Sequence, residues 1–364
     1  MILHRYFAKR FLWTFGGVFF VFVMIIGFIN VIEQLRRGAS VNAPFSDVLT
    51  LALLSVPQSV YDILPLVMII SAISLFLGLA RSSEMVVTRA AGRSALRALW
   101  SPVIMALLLG IMAVGILNPI VAATSRQFEA REDAIRGTSS TLAIGATGLW
   151  LRQGNETGQT VIRAASADLS GTNLRDVTFL TFRPNGGPTQ RIEADRAELR
   201  DGAWQLQNAK SWPLATSVVA EAQAQEHATL NIPSSLTADQ IRDSFGTPAS
   251  IPIWELPAFI ERLKAAGFSA QRHQVWFQRE LALPIFFVAM VMIGAAFTLR
   301  HQRGGRTGLM VLYAILLSFT IYFVRNFAQI MGENGQLPAV LAAWAPPLAA
   351  IGLAMGMLLH HEDG

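Results

Sequence analysis

Six long apolar stretches constrain this chain more than any other feature. They run over residues 11–32, 51–80, 99–120, 277–299, 309–330 and 338–359. Each is long enough to cross a hydrocarbon layer, which needs roughly 20 helical residues. Only helices and closed barrels satisfy their own backbone in lipid, and runs of this length read as helices. The expected fold is an α-helical membrane protein with six transmembrane helices. The second stretch holds 30 residues with Pro57 and Pro65 inside it. That overshoots a bilayer core of about 30 Å, so its start is expected along the interface, with bends at the prolines.

Charge separates two kinds of chain. Residues 121–270 carry 14 basic and 16 acidic residues, whereas the remainder carries 15 basic and only 8 acidic ones. With 52% hydrophobic and 15% charged residues overall, this is a basic, apolar body interrupted by a near-neutral polar insert. Its positive charge fits membrane topology better than nucleic acid. The N-terminus has His4, Arg5, Lys9 and Arg10, the second connection has Arg81, Arg89, Arg93 and Arg97, and the fourth has Arg300, Arg303 and Arg306. Counting six helices puts these on one side, which the positive-inside rule makes cytoplasmic. Both termini are then cytoplasmic and the insert lies outside. The first stretch ends in Glu33, Arg36 and Arg37 with no small-residue cleavage site, so it reads as a retained anchor. Arg36 and Arg37 fall on the outer side, against the rule.

The domains are therefore residues 1–120 with three helices, 121–270 as the insert, and 271–364 with three more helices. Within the insert, residues 148–230 alternate with period 2. Strands are expected at 160–164, 177–183, around 190–194 and 203–206, with a turn at Pro184-Asn185-Gly186-Gly187. This reads as an all-β sandwich or jelly-roll-like domain. Its dilution by Ala, Thr and Gln fits either a thinly packed sheet or one that keeps a hydrophobic groove. Residues 122–136 read as a polar helix leaving the third span. Residues 252–267, with Trp254, Leu256, Phe259, Ile260 and Leu263, read as an amphipathic helix suited to an interface or to packing on the domain.

Chemical motifs are sparse. There is no Walker A pattern, no H-E-x-x-H, no G-x-S-x-G and no cysteine. The six histidines are scattered or terminal, and His360-His361 reads as tail rather than as a metal site. An enzyme is disfavoured, and no metal or cofactor is expected in this chain. Asp62 lies deep in the second span, with Arg325 as a remote candidate partner, and both a packing and a relay role are open to it. In the connection at 81–94, Ser82 or Ser83 can cap a short helix, with Glu84 in its first turn and Gly92 at its end. Such a helix, near residues 82–92, fits equally a surface lying on lipid and a coupling helix inserted into a nucleotide-binding partner.

The stretch R-S-S-E-M-V-V-T-R-A-A-G at 81–92 resembles the coupling segment of the LptF/LptG permease family of the lipopolysaccharide export ABC transporter, nearer its LptG branch. I-E-Q-L-R-R at 32–37, S-V-P at 55–57, L-P-L at 64–66, N-P at 118–119 and W-E-L-P at 254–257 support the resemblance across nearly the whole chain. It implies a non-catalytic permease of a Gram-negative inner membrane, with the 121–270 domain in the periplasm. The implied partners are an LptF-like permease, two copies of an LptB-like ATPase that binds the ATP, an LptC-like periplasmic bridge protein, and lipopolysaccharide. By position, Glu84 would meet the ATPase groove, with Met85, Val86 and Arg89 beside it. Arg36 and Arg37 would meet lipid phosphates, although interfacial anchoring is an alternative. Asn30 stands where some relatives carry a further basic residue. Leu316, Phe319, Tyr322 and Phe323 on the fifth span would contact acyl chains at a lateral gate, although packing is an alternative for these too. A transmembrane ABC subunit for another envelope lipid or for mechanical signalling, and a membrane-anchored enzyme, are the competing readings.

Overall fold

In the structure, a computed structural model, the described residues are 2–40, 44–82, 84, 95–136, 142–145, 148–155, 158–168, 172–183, 187–200, 202–214, 220–234, 236, 241, 247–265, 269–298 and 307–362. The chain divides into a helical unit (Met1–Arg136, Ala249–Trp254 and Gln271–Gly364) and a β unit (Gly137–Pro248 and Glu255–Ala270).

The helical unit begins with α1 (Ile2–Ser40) and α2 (Phe45–Arg81). They are paired so closely at one end that a Cβ on Gly38 would run into the Val48 side chain. Despite Pro57 and Pro65, α2 is one continuous helix of 37 residues. The third span is α3 (Ala95–Met112), which passes through a π turn (Ala113–Leu117) into α4 (Asn118–Arg136). Pro119 has no N–H to return to the preceding turn, and a wider turn ahead of it absorbs the loss. The polar helix expected after the third span is thus a direct continuation of it.

The remaining spans are α6 (Gln271–Thr298), α7 (Thr307–Glu333) and α8 (Ala339–Glu362); α5 lies in the β unit. Among the described residues, six helices are long and apolar enough to cross a membrane. α6 is the central one. It packs on α2, α3, α7 and α8, and Phe286, Phe287, Met290 and Ile293 are wholly enclosed. Small residues allow this. A Cβ on Gly110 of α3 would collide with the Pro284 backbone, and one on Gly294 would fall 2.9 Å from the Ala72 methyl of α2. In lipid, helices associate by such close packing, because the surrounding tails are as apolar as the side chains.

The β unit is one antiparallel seven-stranded sheet in sequence order. Its strands are β1 (Leu142–Gly145), β2 (Gly148–Asn155), β3 (Gly158–Ala167), β4 (Asn173–Phe182), β5 (Pro188–Arg200), β6 (Ala203–Pro213) and β7 (Gln225–Pro233). The inserted all-β domain is present, with meander connections between its strands. Residues 184–186 of the expected turn lie outside the described residues. One face is buried. A row of large residues (Leu151, Ile162, Phe179, Ile192) lies beside a row diluted by Ala164, Ala194 and Ala209. The Phe179 and Trp204 rings meet edge to face at 6.3 Å.

The sheet turns inward along a crease. Positions 165, 176, 195, 208 and 228 face one another across β3 to β7, and each of these pairs is missing from a register broken elsewhere only by a shift at Thr181/Phe182 between β4 and β5. Asp176 and Asn208 hold φ of 50° and 52° there, and Asn208 Nδ2 donates to Asp195 Oδ2 at 3.0 Å. Asp and Asn tolerate the left-handed region better than most residues. Across the crease the buried face slips by one residue: Leu174 and Val177, Ala194 and Ala197, and Leu206 and Ala209 are all inside. The roll brings β2 to the end of β7, where Gln153 donates to the Pro233 carbonyl and accepts from Ser234 Oγ at 2.8 Å. α5 (Leu256–Ala265) buries Leu256, Ile260 and Leu263 and leaves Trp254, just before it, 71% exposed.

Gly110→Ala is expected to lower the thermal midpoint of the detergent-purified chain by several degrees, whereas Gly352→Ala, which faces open space on α8, holds or raises it through helix propensity worth about 1 kcal/mol. Paired thermal melts check this.

Candidate functional site

Among the described residues, three charged clusters stand out on the helical unit. At the N-terminal end of α1, Arg10 meets Glu84, just past the end of α2, in an ion pair of 2.6 Å. The Arg10 guanidinium also donates to Tyr6 Oη and lies over the Tyr6 ring, while Ser82 Oγ donates to the same Glu84 oxygen at 2.7 Å. Burial pushes the Glu84 carboxyl up, but the hydrogen bonds from Arg10 and Ser82 outweigh it and hold the group below its ordinary value. The carboxylate therefore stays charged and paired at neutral pH, and the pairing weakens only in acid. Met85, Val86 and Arg89 lie outside the described residues.

At the far end of α1, Arg36 and Arg37 share one counter-ion. Arg36 grips Glu33 through Nε (3.1 Å) and Nη2 (2.9 Å), and Arg37 Nε reaches it at 2.7 Å. Both guanidiniums are largely exposed, so the pair keeps a net positive charge facing outward. Asn30 turns to α2 instead, donating to Ser59 Oγ at 3.0 Å. On α7, Leu316, Phe319 and Phe323 lie on an exposed face, whereas Tyr322 is half-buried and packs against the helical core. The four residues grouped by sequence are therefore divided between two faces.

The third place was legible only in part: the sequence named Asp62 and Arg325 but not the carboxylate at its centre. Glu280 on α6 is wholly buried and accepts from Tyr61 Oη of α2 and from Asn118 Nδ2 at the start of α4. Asn118 Oδ1 in turn accepts from the Ile253 N–H at 2.9 Å. Arg325 of α7, also buried, lies 4.6 Å over the Phe286 ring and interacts electrostatically with both Glu280 and Asp62. Asp62 itself accepts from Gln58 Nε2 at 3.1 Å. Arg279 and Arg325 both act electrostatically on the two carboxylates, of which Glu280 is the more deeply enclosed. The available signal was the Arg279-Glu280 pair inside an apolar stretch; an intramembrane carboxylate is costly and marks a partnered site. Among the described residues no group of His, Cys, Asp and Glu is arranged to hold a metal ion.

Comparison with known proteins decides what this arrangement belongs to. The model of the family described as lipopolysaccharide export system permease LptF/LptG matches residues 5–360. The chain belongs to this family. It is 23% identical to the lipopolysaccharide export system permease protein LptG of Haemophilus influenzae over 381 residues, 99% of each chain. It is 22% identical to the protein of the same name from Escherichia coli over 366 residues, covering 99% of this chain and 98% of the other. The six helices and inserted β unit are those of a LptF/LptG permease, whose relatives are transporter subunits by name.

The two polar clusters of this LptF/LptG chain differ in weight. Tyr61→Phe, which takes a hydrogen bond from the buried Glu280 carboxylate, is expected to cost about 1.5–3 kcal/mol. Arg10→Ala, at a pair roughly a third exposed, is expected to cost about 1 kcal/mol or less. Thermal unfolding of the two variants side by side is the measurement.

Proposed function

We propose that the chain is the transmembrane permease subunit of an ABC transporter that extracts lipopolysaccharide from the Gram-negative inner membrane and passes it to a periplasmic bridge. The observation that carries this reading is family membership over residues 5–360, which spans both the helices and the insert. The partners are an LptF-like permease, two LptB-like ATPases that bind and hydrolyse the ATP, and an LptC-like bridge protein. Both termini are cytoplasmic and the 121–270 domain is periplasmic, as the basic connections argue.

Each charged place then has a task. Glu84, with Met85, Val86 and Arg89, docks in the ATPase groove, and its ion pair with Arg10 ties that contact to α1 as well as α2. Arg36 and Arg37 receive lipid phosphates, for which guanidinium forks are well matched. Glu33 holds their places between lipids, because its carboxylate occupies the donors that a phosphate would take. The exposed face of Leu316, Phe319 and Phe323 borders acyl chains, and Tyr322 backs it from within. The rolled sheet accepts the lipid after it leaves the helices.

Two expected outcomes test the reading. Glu84→Arg leaves the chain in the membrane but separates ATP hydrolysis from lipid release. Unchanged partner binding together with unchanged growth would sink the coupling role. Arg36→Glu combined with Arg37→Glu lowers photocrosslinking to lipopolysaccharide without loss of assembly, while Glu33→Gln raises it. Mass spectrometry of the gently purified complex identifies the cargo, and a different copurifying lipid would replace lipopolysaccharide in the mechanism.

A further inference from the structure

The two short motifs N-P at 118–119 and W-E-L-P at 254–257 have no task in the transport reading, yet the fold brings Asn118 to Ile253, the residue just before the second motif. Six residues, Ala249–Trp254, belong to the helical unit although the chain on either side of them belongs to the β unit. Ser250 and Ile253 are buried there, with Ile253 inside the helical core. A buried backbone N–H needs an acceptor, and the Ile253 N–H finds Asn118 Oδ1 at 2.9 Å. That bond fixes the amide's orientation, because an N–H can only donate, so Asn118 Nδ2 must face Glu280 Oε2, as it does at 3.3 Å. The same carboxylate oxygen takes the Tyr61 hydroxyl of α2.

We propose that Asn118, Glu280 and Tyr61 form a latch that holds Ala249–Trp254 in the helical unit, so that movement of α2 and α6 is passed to both stretches of chain leading into the insert. Asn118 opens the helix that leads out to residue 136, and through its side chain it also grips the returning segment at 253. One carboxylate therefore governs the outgoing and the returning connection. Asparagine suits the joint because it accepts from one partner and donates to the other. Serine can accept from Ile253 but does not span to Glu280, and alanine does neither. Arg325, acting electrostatically on Glu280, adds α7 to the same hub. In the proposed transport cycle, on which this part of the inference rests, these are positioning residues that keep the insert in step with the helices.

The chain has no cysteine, so a single thiol reports on the latch. Ser250→Cys is introduced into the full-length chain in its native membrane complex, and the modification rate by a maleimide is measured. The parent is expected to be protected. Asn118→Ala should raise the rate about tenfold or more by releasing the segment, while Glu280→Gln, which keeps an acceptor, should stay near the parent. In the purified complex, Asn118→Ala should lower the lipid released per ATP hydrolysed while ATP hydrolysis itself continues. If Asn118→Ala does not accumulate, Asn118→Leu, of similar size but with neither donor nor acceptor, carries the same test. Position 250 remaining as protected as in the parent, in an assembled Asn118 variant, would overturn the latch. An opened segment with an unchanged lipid-to-ATP ratio would overturn its link to transport. A parent complex that releases no lipopolysaccharide would overturn the transport reading alone, since the thiol measurement needs no cargo.

Discussion

Helices in lipid gain little from hiding apolar surface, so what holds this helical unit together is the close approach of α6 to its neighbours. Gly110 lies against Pro284 and Gly294 against Ala72, positions where a single methyl group would part the helices. That proximity lets four helices share one central partner. It also explains how Glu280 comes to be enclosed: α2 and α4 each donate a hydrogen bond to its carboxylate, and the charges of Arg279 and Arg325 act on it electrostatically. The two features are linked, since a looser bundle would admit water and dissolve the network, and an unsatisfied carboxylate would push the bundle apart.

The polar groups sort by depth into different kinds of work. The Arg10–Glu84 and Arg36–Arg37–Glu33 clusters are partly solvated, individually weak and available for exchange with a partner or a phosphate. The Glu280 cluster is sealed and suited to holding position. A permease needs both kinds, because contacts that must form and break in each cycle have to be cheap, while those that carry displacement from helix to helix have to persist.

The β unit shows where a sequence pattern ends and three-dimensional structure begins. The strands legible in the sequence stop or start beside one row: 160–164 ends before position 165, 177–183 begins after 176, 190–194 ends before 195, and 203–206 ends before 208. That row is the crease, where Asp176 and Asn208 adopt positive φ and the buried face slips by one residue. Period-2 alternation fails there because the inward face itself changes phase, so each long strand was visible only on one side of the fold line. The roll that closes Gln153 on Pro233 and Ser234 follows from that crease and has no counterpart in any local window.

The six spans, the interruption by an all-β insert and the family were legible along the chain, because hydrophobic length, period and motif spacing are properties of neighbouring residues. The sequence also placed Glu84, Arg36 and Arg37, whose positions at helix ends follow from charge beside apolar runs. Only long-range packing sets Arg10 against Glu84 across 74 residues, packs Tyr322 on the helical core while Phe319 and Phe323 stay exposed, and joins Ile253 to Glu280 through Asn118. Those pairings depend on which helix faces touch, and a face is chosen by packing against partners far away in the chain.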